Sequence, residues 1–278
     1  MNKLRTIRKI VTGKHTVDGA GVKLVRVIGR DDTQDFDPFL MLDAFDSVDP
    51  EDYVKGFPWH PHRGIETITY LIQGDIEHGD SLGNTGRILA GECQWMTAGS
   101  GILHQEMPKP SERMFGLQLW LNLPAKDKMV SPKYNGIRKE DIPVVDEGDR
   151  RIHILAGVYG GKAGAMAGDY RKPLLLDVAV CAGAEWSLEI AGNTTSFIYI
   201  FQGAGTFGSE QVITAKHAVL FDETGTFLVK AADQGIRFFL MAGEPLRESI
   251  AWGGPIVMNT REELQLAFRE LEENKFIK

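Results

Sequence analysis

The sequence predicts an all-β protein of two related domains with one helix at its C-terminus, and three observations support this. First, short alternating runs such as TITYLIQG, FGLQLWLNL, LLLDVAV and IRFFLMAG follow one another between clusters of Gly, Asp, Asn and Pro. This pattern is typical of strands joined by turns in sandwiches or barrels. Second, one run recurs in the second half of the chain. Third, a length of 278 residues favours two domains over one.

The recurring run defines the two domains. TITYLIQGDIEHG in the first half parallels SFIYIFQGAGTFG in the second, so that Tyr70 aligns with Tyr199. Two related barrels explain such an internal repeat. The polar, proline-containing segment NLPAKDKMVSPKYNGIRKEDIPVVDEGD lies between them and is the expected linker. We therefore predict domains at residues 1–140 and 141–278.

The tail of the chain has the helical pattern. Thr260 and Glu263 match a capping box, which marks a helix N-terminus. Apolar residues then recur at helical spacing, at Leu264, Ala267, Phe268 and Leu271. We expect this stripe to pack on one of the barrels.

Composition restricts the function. The chain is 43% apolar and 25% charged, as in ordinary soluble globular proteins. Its net charge of −7 argues against a sequence-independent grip on nucleic acid, which needs clustered Lys and Arg. It contains neither a secretory signal pattern nor an apolar run of membrane-spanning length, and Cys93 and Cys181 make no disulfide framework. We expect a cytoplasmic monomer without direct nucleic-acid or membrane contacts.

The stretch FPWHPHRGIETITYLIQG, residues 57–74, contains the first candidate ligands. Side chains two apart on a strand share a face, so His60 and His62 present two imidazoles together, and Gly64 and Glu66 continue that face. In the repeat, Glu189, Ala191 and Thr195 stand at the positions of His60, His62 and Glu66. A barrel can be built without these residues, which favours a chemical role for them.

A second pair has the same spacing. In WMTAGSGILHQEMP, His104 and Glu106 follow a glycine-rich turn, and the two pairs can clamp one ion from neighbouring strands. Three imidazoles and a carboxylate suit Fe(II), Mn, Co, Ni, Cu or Zn better than calcium or magnesium. Four protein ligands leave coordination positions open for water, dioxygen or substrate, as catalysis requires. A closed, tetrahedral structural zinc site is the competing geometry.

Other polar residues give alternatives. Glu66 can replace Glu106 as a ligand, or can orient a histidine without touching the metal. The remaining histidines lack a partner at ligand spacing, so we interpret them as surface or locally hydrogen-bonded residues: His15, His78, His153 and His217.

These motifs, together with DPFLMLDAF and FGLQLWLNLP, closely resemble the pirin family of the cupin superfamily, most strongly over residues 37–124. The resemblance implies a bicupin of two antiparallel β-barrels of the jelly-roll type, with a metal, usually iron, in the N-terminal barrel only. Carried over by motif, the metal ligands are His60 and His62 from HPHRG, with His104 and Glu106 from GILHQEM.

The resemblance also implies two functions. Several pirins are reported to act as quercetin 2,3-dioxygenases, which open a flavonol ring with dioxygen and release carbon monoxide. Here Glu106 would be the general base, and Asp43, Gln118 and Trp120 would line the pocket mouth. Other pirins act as cofactors of transcription or as modulators of enzymes, and this alternative makes the chain a non-catalytic, metal-binding regulator with a protein partner.

Overall fold

The computed structural model describes residues 3–278 and consists mostly of β-strands joined by short turns, as the alternating runs predict. Its helices are α1 (Thr33–Phe36) and α2 (Arg261–Glu272), and 3-10 turns occur at Arg30–Asp32, Pro50–Asp52, Ala125–Asp127 and Lys139–Asp141. The strands in chain order are β1 (Ile7–Thr12), β2 (Lys14–Asp18), β3 (Val22–Ile28), β4 (Phe39–Ser47), β5 (Phe57–His62), β6 (Ile65–Gln73), β7 (Asp75–Asp80), β8 (Thr85–Leu89), β9 (Cys93–Thr97), β10 (Ile102–Pro108), β11 (Met114–Asn122), β12 (Lys133–Ile137), β13 (Val144–Asp146), β14 (Arg150–Ala156), β15 (Val158–Tyr159), β16 (Lys162–Ala163), β17 (Leu174–Val180), β18 (Glu185–Glu189), β19 (Thr195–Thr206), β20 (Ile213–Thr214), β21 (His217–Phe221), β22 (Thr226–Gly243), β23 (Ala251–Gly253) and β24 (Ile256–Met258).

One compact unit contains residues 14–33, 39–139 and 246–278. Its larger sheet has seven strands in the order β12-β9-β6-β11-β4-β3-β2, and a second sheet has four in the order β5-β10-β7-β8. A side chain of β10 is hydrogen-bonded to side chains of β6 and β11, so the two sheets face each other. Each sheet ends in two different strands, so the sheets are open and form a sandwich, which fits the predicted barrel of the jelly-roll type.

A buried apolar cluster packs between these sheets. It contains Leu40, Met41, Ile65, Met96, Ala98, Ile102, Trp120 and Val257. Burying one of its Leu, Ile, Met or Val side chains stabilises the fold by about 1.5–3 kcal/mol. The cluster also includes a residue of β24, so the C-terminal segment is part of this unit's core.

The second unit contains residues 3–13, 34–38 and 140–245. Its nine-stranded sheet runs β1-β21-β19-β22-β17-β14-β13, with β18 on β22 and β20 on β19. Aromatic rings fill its interior at centroid separations of 5.1 to 6.5 Å: Trp186, Phe207, Phe221, Phe227 and Phe238. The Trp186 indole donates to the Tyr159 hydroxyl at 2.9 Å. The predicted repeat falls on β6 and β19, which contain Tyr70 and Tyr199.

The chain does not divide between the two units at a single point. One junction between the units falls between residues 139 and 140. The last segment, residues 246–278, belongs to the unit that contains His60 and His62, although it follows the whole second half of the chain. The predicted ranges of the two cupin domains, 1–140 and 141–278, stay a prediction.

Helix α2 begins as the sequence predicts. Thr260 Oγ1 accepts from the Glu263 amide at 3.2 Å, and Glu263 Oε2 accepts from the Thr260 amide at 3.0 Å, so the capping box is confirmed. Ala267 of its stripe is buried, whereas Phe268 is 36% exposed. Over the residues that the structure describes, neither helix has the length and apolar character that a membrane span requires.

Candidate metal centre

Strands β5 and β10 bring the two predicted histidine motifs together. The strands are antiparallel neighbours, and their register places His104 opposite His60 and Ile102 opposite His62. The ligand nitrogens of His60, His62 and His104 all lie within 4.8 Å of one another. Within residues 3–278, this is the one group of three or more His, Cys, Asp or Glu side chains that could hold a metal ion.

Backbone carbonyls fix the orientation of two of the rings. His60 Nδ1 lies 2.9 Å from the Pro58 carbonyl, and His62 Nδ1 lies 3.0 Å from the Pro255 carbonyl. A carbonyl only accepts, so in the neutral rings both Nδ1 atoms carry the proton and both Nε2 atoms keep a lone pair. Pro255 comes from the C-terminal segment, which therefore helps to shape the site.

The two Nε2 atoms face each other at 3.0 Å. Two lone pairs at this distance repel unless a cation lies between them. Two nitrogens bound to one ion at about 2.1 Å, and at a right angle, are themselves about 3.0 Å apart. The arrangement of His60 and His62 therefore fits a transition metal.

His104 supplies a third observation for the metal. Its side chain is fully buried, and neither ring nitrogen has a hydrogen-bond partner. A buried polar group without a partner costs about 1–3 kcal/mol, which coordination to a metal would recover. Burial holds the pKa of His104 well below its usual value, and the neighbouring His62 and His60 lower it further. Burial and His60 also lower the pKa of His62 to about 3, so both rings are neutral, which is the form that binds metals.

Glu106 lies beside the histidine group but is not part of it. It is buried on the same face of β10 as His104. Its Oε1 accepts from Thr69 Oγ1 at 3.0 Å, and its Oε2 accepts from Gln118 Nε2 at 2.7 Å. The structure thus assembles three of the four residues predicted as ligands and places the fourth next to them, hydrogen-bonded to the opposite sheet.

The expectation that Glu66 shares the face of His60 and His62 is wrong. Strand β5 ends at His62, and Gly64 turns the chain with a φ of 76° before β6 begins at Ile65. Glu66 Oε1 accepts from Trp95 Nε1 at 3.0 Å and from Thr97 Oγ1 at 2.8 Å. Thr69 lies three positions after Glu66 on β6, so the two side chains point to opposite faces of the sheet. Because Thr69 contacts Glu106, Glu66 points away from the metal centre.

His78 is locally hydrogen-bonded, the second of the two alternatives predicted for it, but it lies beside the candidate metal centre, which was not predicted from the sequence. It is buried rather than on the surface, its ring lies 5.6 Å from the ring of His104, and it stacks on Tyr134 at 4.5 Å. Its Nε2 does make a local hydrogen bond, to Asp80 Oδ2 at 3.1 Å. The missed signal is the spacing of His78 and Asp80, which repeats the i, i+2 relation of the two ligand pairs.

A cavity of about 760 Å³ reaches His60 and His62. The predicted pocket residues Asp43, Gln118 and Trp120 all line it. So do aromatic and cationic side chains that the sequence did not single out: Arg26, Arg30, Phe57, Trp59 and Trp252. Arg26 binds both carboxylate oxygens of Asp43, at 2.9 and 2.7 Å. The side chain of Trp120 borders this space, whereas its indole nitrogen is buried and has no hydrogen-bond partner.

Two jelly-roll sandwiches in one chain, with imidazoles converging inside one of them, define a bicupin. The chain belongs to the pirin family: the family model described as Pirin matches residues 21–121, and the model described as Pirin C-terminal cupin domain matches residues 175–277. The family that the motifs resemble is thereby confirmed.

Individual relatives agree with this family. A Pseudomonas aeruginosa protein named "Putative quercetin 2,3-dioxygenase" is 40% identical over 278 residues, which cover 97% of each chain. The crystal structure of quercetin 2,3-dioxygenase from Acinetobacter baumannii superposes with a TM-score of 0.89 at 30% identity and covers 99% of both chains. A bacterial pirin from Escherichia coli, solved in complex with nickel(II), shares the fold with a TM-score of 0.65 at 22% identity, over 88% of this chain and 99% of its own.

Proposed function

We propose that the protein binds one divalent transition metal through His60, His62 and His104, with Glu106 as the fourth ligand. The support is the pair of Nε2 atoms 3.0 Å apart and the unpartnered imidazole of His104. The resemblance to pirins favours Fe(II), and the same donor set also accepts Mn, Co, Ni, Cu or Zn. When bound, such a metal lowers the pKa of a coordinated hydroxyl group and can activate dioxygen.

We further propose that the protein is a quercetin 2,3-dioxygenase, which opens the ring of a flavonol-like aromatic substrate with dioxygen and releases carbon monoxide. The observation that carries this proposal is the cavity that reaches His60 and His62. Its volume of about 760 Å³ lies within the usual range for small-molecule sites. Trp120 and Trp252, whose ring centroids are 5.9 Å apart, give it aromatic walls that suit a flat aromatic ligand. The names of the two dioxygenase relatives support the same activity.

The chain's own residues then have distinct tasks. Glu106 accepts the proton of the substrate hydroxyl, while Thr69 and Gln118 hold its carboxylate in place. The rings of Trp120 and Trp252 form an aromatic part of the wall against which a flat substrate can lie. The Arg26–Asp43 pair supplies a charged, rigid part of the wall.

The test is a direct assay. The purified protein is loaded anaerobically with Fe(II), Mn, Co, Ni or Cu in turn, then mixed with quercetin and dioxygen. We expect loss of the flavonol absorbance together with release of carbon monoxide. Metal binding without turnover by any of the five ions would overturn the dioxygenase proposal and favour a metal-binding regulator that acts through a protein partner.

A further inference from the structure

His104 lacks the hydrogen bond to an acceptor that orients the rings of His60 and His62. A metal-bound imidazole almost always donates its remaining N–H to an acceptor, which fixes the ring and increases its basicity as a ligand. The backbone carbonyls of Pro58 and Pro255 fill this role for His60 and His62. Both nitrogens of the fully buried His104 have no partner, so one still needs an acceptor after the other binds the metal.

His78 offers an acceptor in the adjacent strand. Its Nε2 lies 3.1 Å from Asp80 Oδ2, and a carboxylate only accepts, so in the neutral ring Nε2 carries the proton and Nδ1 keeps a lone pair. This Nδ1 is buried and has no hydrogen-bond partner. Strands β7 and β10 pair with Asp80 opposite His104 and His78 opposite Glu106, so all four side chains share one face.

Asp80 is itself held rigidly. Its Oδ1 accepts from the backbone amides of Leu82 at 2.9 Å and Asn84 at 3.1 Å, and its Oδ2 accepts from Asn84 Nδ2 at 3.0 Å. Tyr134 stacks on the other side of His78 with an interplanar angle of 23°. These contacts fix both the tautomer and the plane of the His78 ring.

The ring separation is suitable for a direct bond. Two imidazoles joined by an N–H···N hydrogen bond of about 2.9 Å have their centroids about 5 Å apart, and an intervening water would move them to about 7 Å. The observed centroid distance between His78 and His104 is 5.6 Å, between these two values and nearer the first. The two rings are not hydrogen-bonded to each other in the structure, so a direct bond requires them to approach by about 0.6 Å.

We infer that His78 is a positioning residue for the metal centre, accepting a hydrogen bond from the ring nitrogen of His104 that does not bind the metal. Asp80 orients His78, which gives a chain from Asp80 through His78 and His104 to the ion. This inference rests on the metal site of the proposed function.

Two variants of nearly equal shape test the inference through metal affinity. His78→Leu removes the acceptor, and we expect Zn(II) binding to weaken about 10–100-fold. His78→Asn restores an oxygen near the position of Nδ1, and we expect affinity close to wild type. Tyr134→Phe, which keeps the stacked ring, is the control and should bind as wild type. Equal affinity of the Leu and Asn variants would overturn the inference, since only the acceptor distinguishes them.

A measurement on the wild-type protein avoids any folding defect of the variants. In the Zn(II)-loaded protein with ¹⁵N-labelled histidine, an N–H···N bond gives a scalar coupling between the His104 and His78 nitrogens. We expect that coupling, and its absence would overturn the inference while leaving the metal site intact. A wild-type protein that binds no divalent metal would overturn the proposed function, and the inference with it.

Discussion

At the scale of single residues, His60, His62 and His104 differ in one respect. Each has a ring nitrogen that points away from the candidate metal centre, and a different kind of group lies opposite that nitrogen. For His60 and His62 that group is a backbone carbonyl, whose position is set by the main chain. For His104 the nearest candidate is another side chain, His78. The positions of His60, His62 and His104 could be predicted because alternation along a strand is a local rule. The burial of His78 could not, because it depends on the pairing of β7 with β10, and the sequence offers only its i, i+2 spacing from Asp80 as a signal.

Glu106 gives the sharpest test at this scale. Glu106→Gln keeps the size of the side chain but removes the negative charge that accepts a proton. If Glu106 is both ligand and general base, turnover of quercetin falls about 10²–10⁴-fold, because this is the usual contribution of a positioned base. Metal affinity falls as well. Steady-state kinetics and metal titration measure the two effects.

The matched control is Glu77→Gln on the neighbouring strand β7, because Glu77 is exposed and pairs with Lys109 at the surface. We expect this variant to bind metal and turn over substrate as wild type does. Full activity in the Glu106→Gln protein would contradict the assignment of Glu106.

At the scale of elements, strand boundaries explain which predictions failed. The sequence pattern continues through HPHRGIET, but the structure turns at Gly64, where an added Cβ would lie 2.0 Å from the Val257 carbonyl. A segment almost two hundred residues later therefore passes so close to this turn that only glycine fits there. Alternation alone cannot locate such a contact, and for this reason the face of Glu66 was predicted wrongly.

Phe276 packs the C-terminal segment, residues 246–278, against Arg63. The Phe276 side chain is 2% exposed, and the Arg63 guanidinium lies 4.1 Å from its ring centre and donates to its carbonyl at 2.9 Å. We expect Phe276→Ala to lower the free energy of unfolding by about 3–5 kcal/mol, as for other buried Phe residues. Phe268→Ala, on the same segment but 36% exposed, should cost about 1 kcal/mol or less. Urea denaturation measures both, and equal losses would refute this account of the segment.

Lys128 joins three elements of the site's unit. When protonated, its Nζ donates to the Gly64 carbonyl at 2.8 Å, the Val257 carbonyl at 2.9 Å and Asn122 Oδ1 at 2.5 Å. Burial lowers the pKa of this amine from 10.5 to about 7. Between these pH values the unfolded chain binds a proton that the folded protein does not, so this group makes the free energy of unfolding rise with pH. The slope is at most about 1.4 kcal/mol per pH unit.

Lys128→Met removes this contribution, so the comparison of variant and wild type isolates it from other titrating groups. Urea denaturation of the metal-free proteins at about pH 7.5 and about pH 9.5 should show wild type gaining stability relative to the variant, by roughly 1–3 kcal/mol. A stability difference that is the same at both pH values would contradict a lowered pKa for Lys128.

At the scale of the whole molecule, two related sandwiches carry different interiors. The first keeps a cavity that reaches the histidines, whereas aromatic rings in tilted and edge-to-face contacts fill the second. The repeat predicted only that the second copy lacks the histidine pair, because Glu189 and Ala191 stand where the first copy has His60 and His62. It could not predict that residues 246–278 complete the first sandwich, because that depends on contacts between Arg63 and Phe276, which are 213 positions apart.

This difference predicts a metal stoichiometry of about one ion per chain. Metal coordination requires several donors held around one point, and only the first sandwich supplies such a group among residues 3–278. We therefore expect His62→Ala and His104→Ala each to reduce metal content sharply. His217→Ala should leave it unchanged, because that ring lies in the second unit with its Nδ1 against the Thr214 and Ala215 carbonyls. Elemental analysis of the purified proteins, with thermal unfolding to show that each is folded, measures the outcome. Two ions per chain, or equal metal content in all three variants, would show that the chain's metal is held elsewhere, and the cavity above His60 and His62 would then lose its role in the proposed reaction.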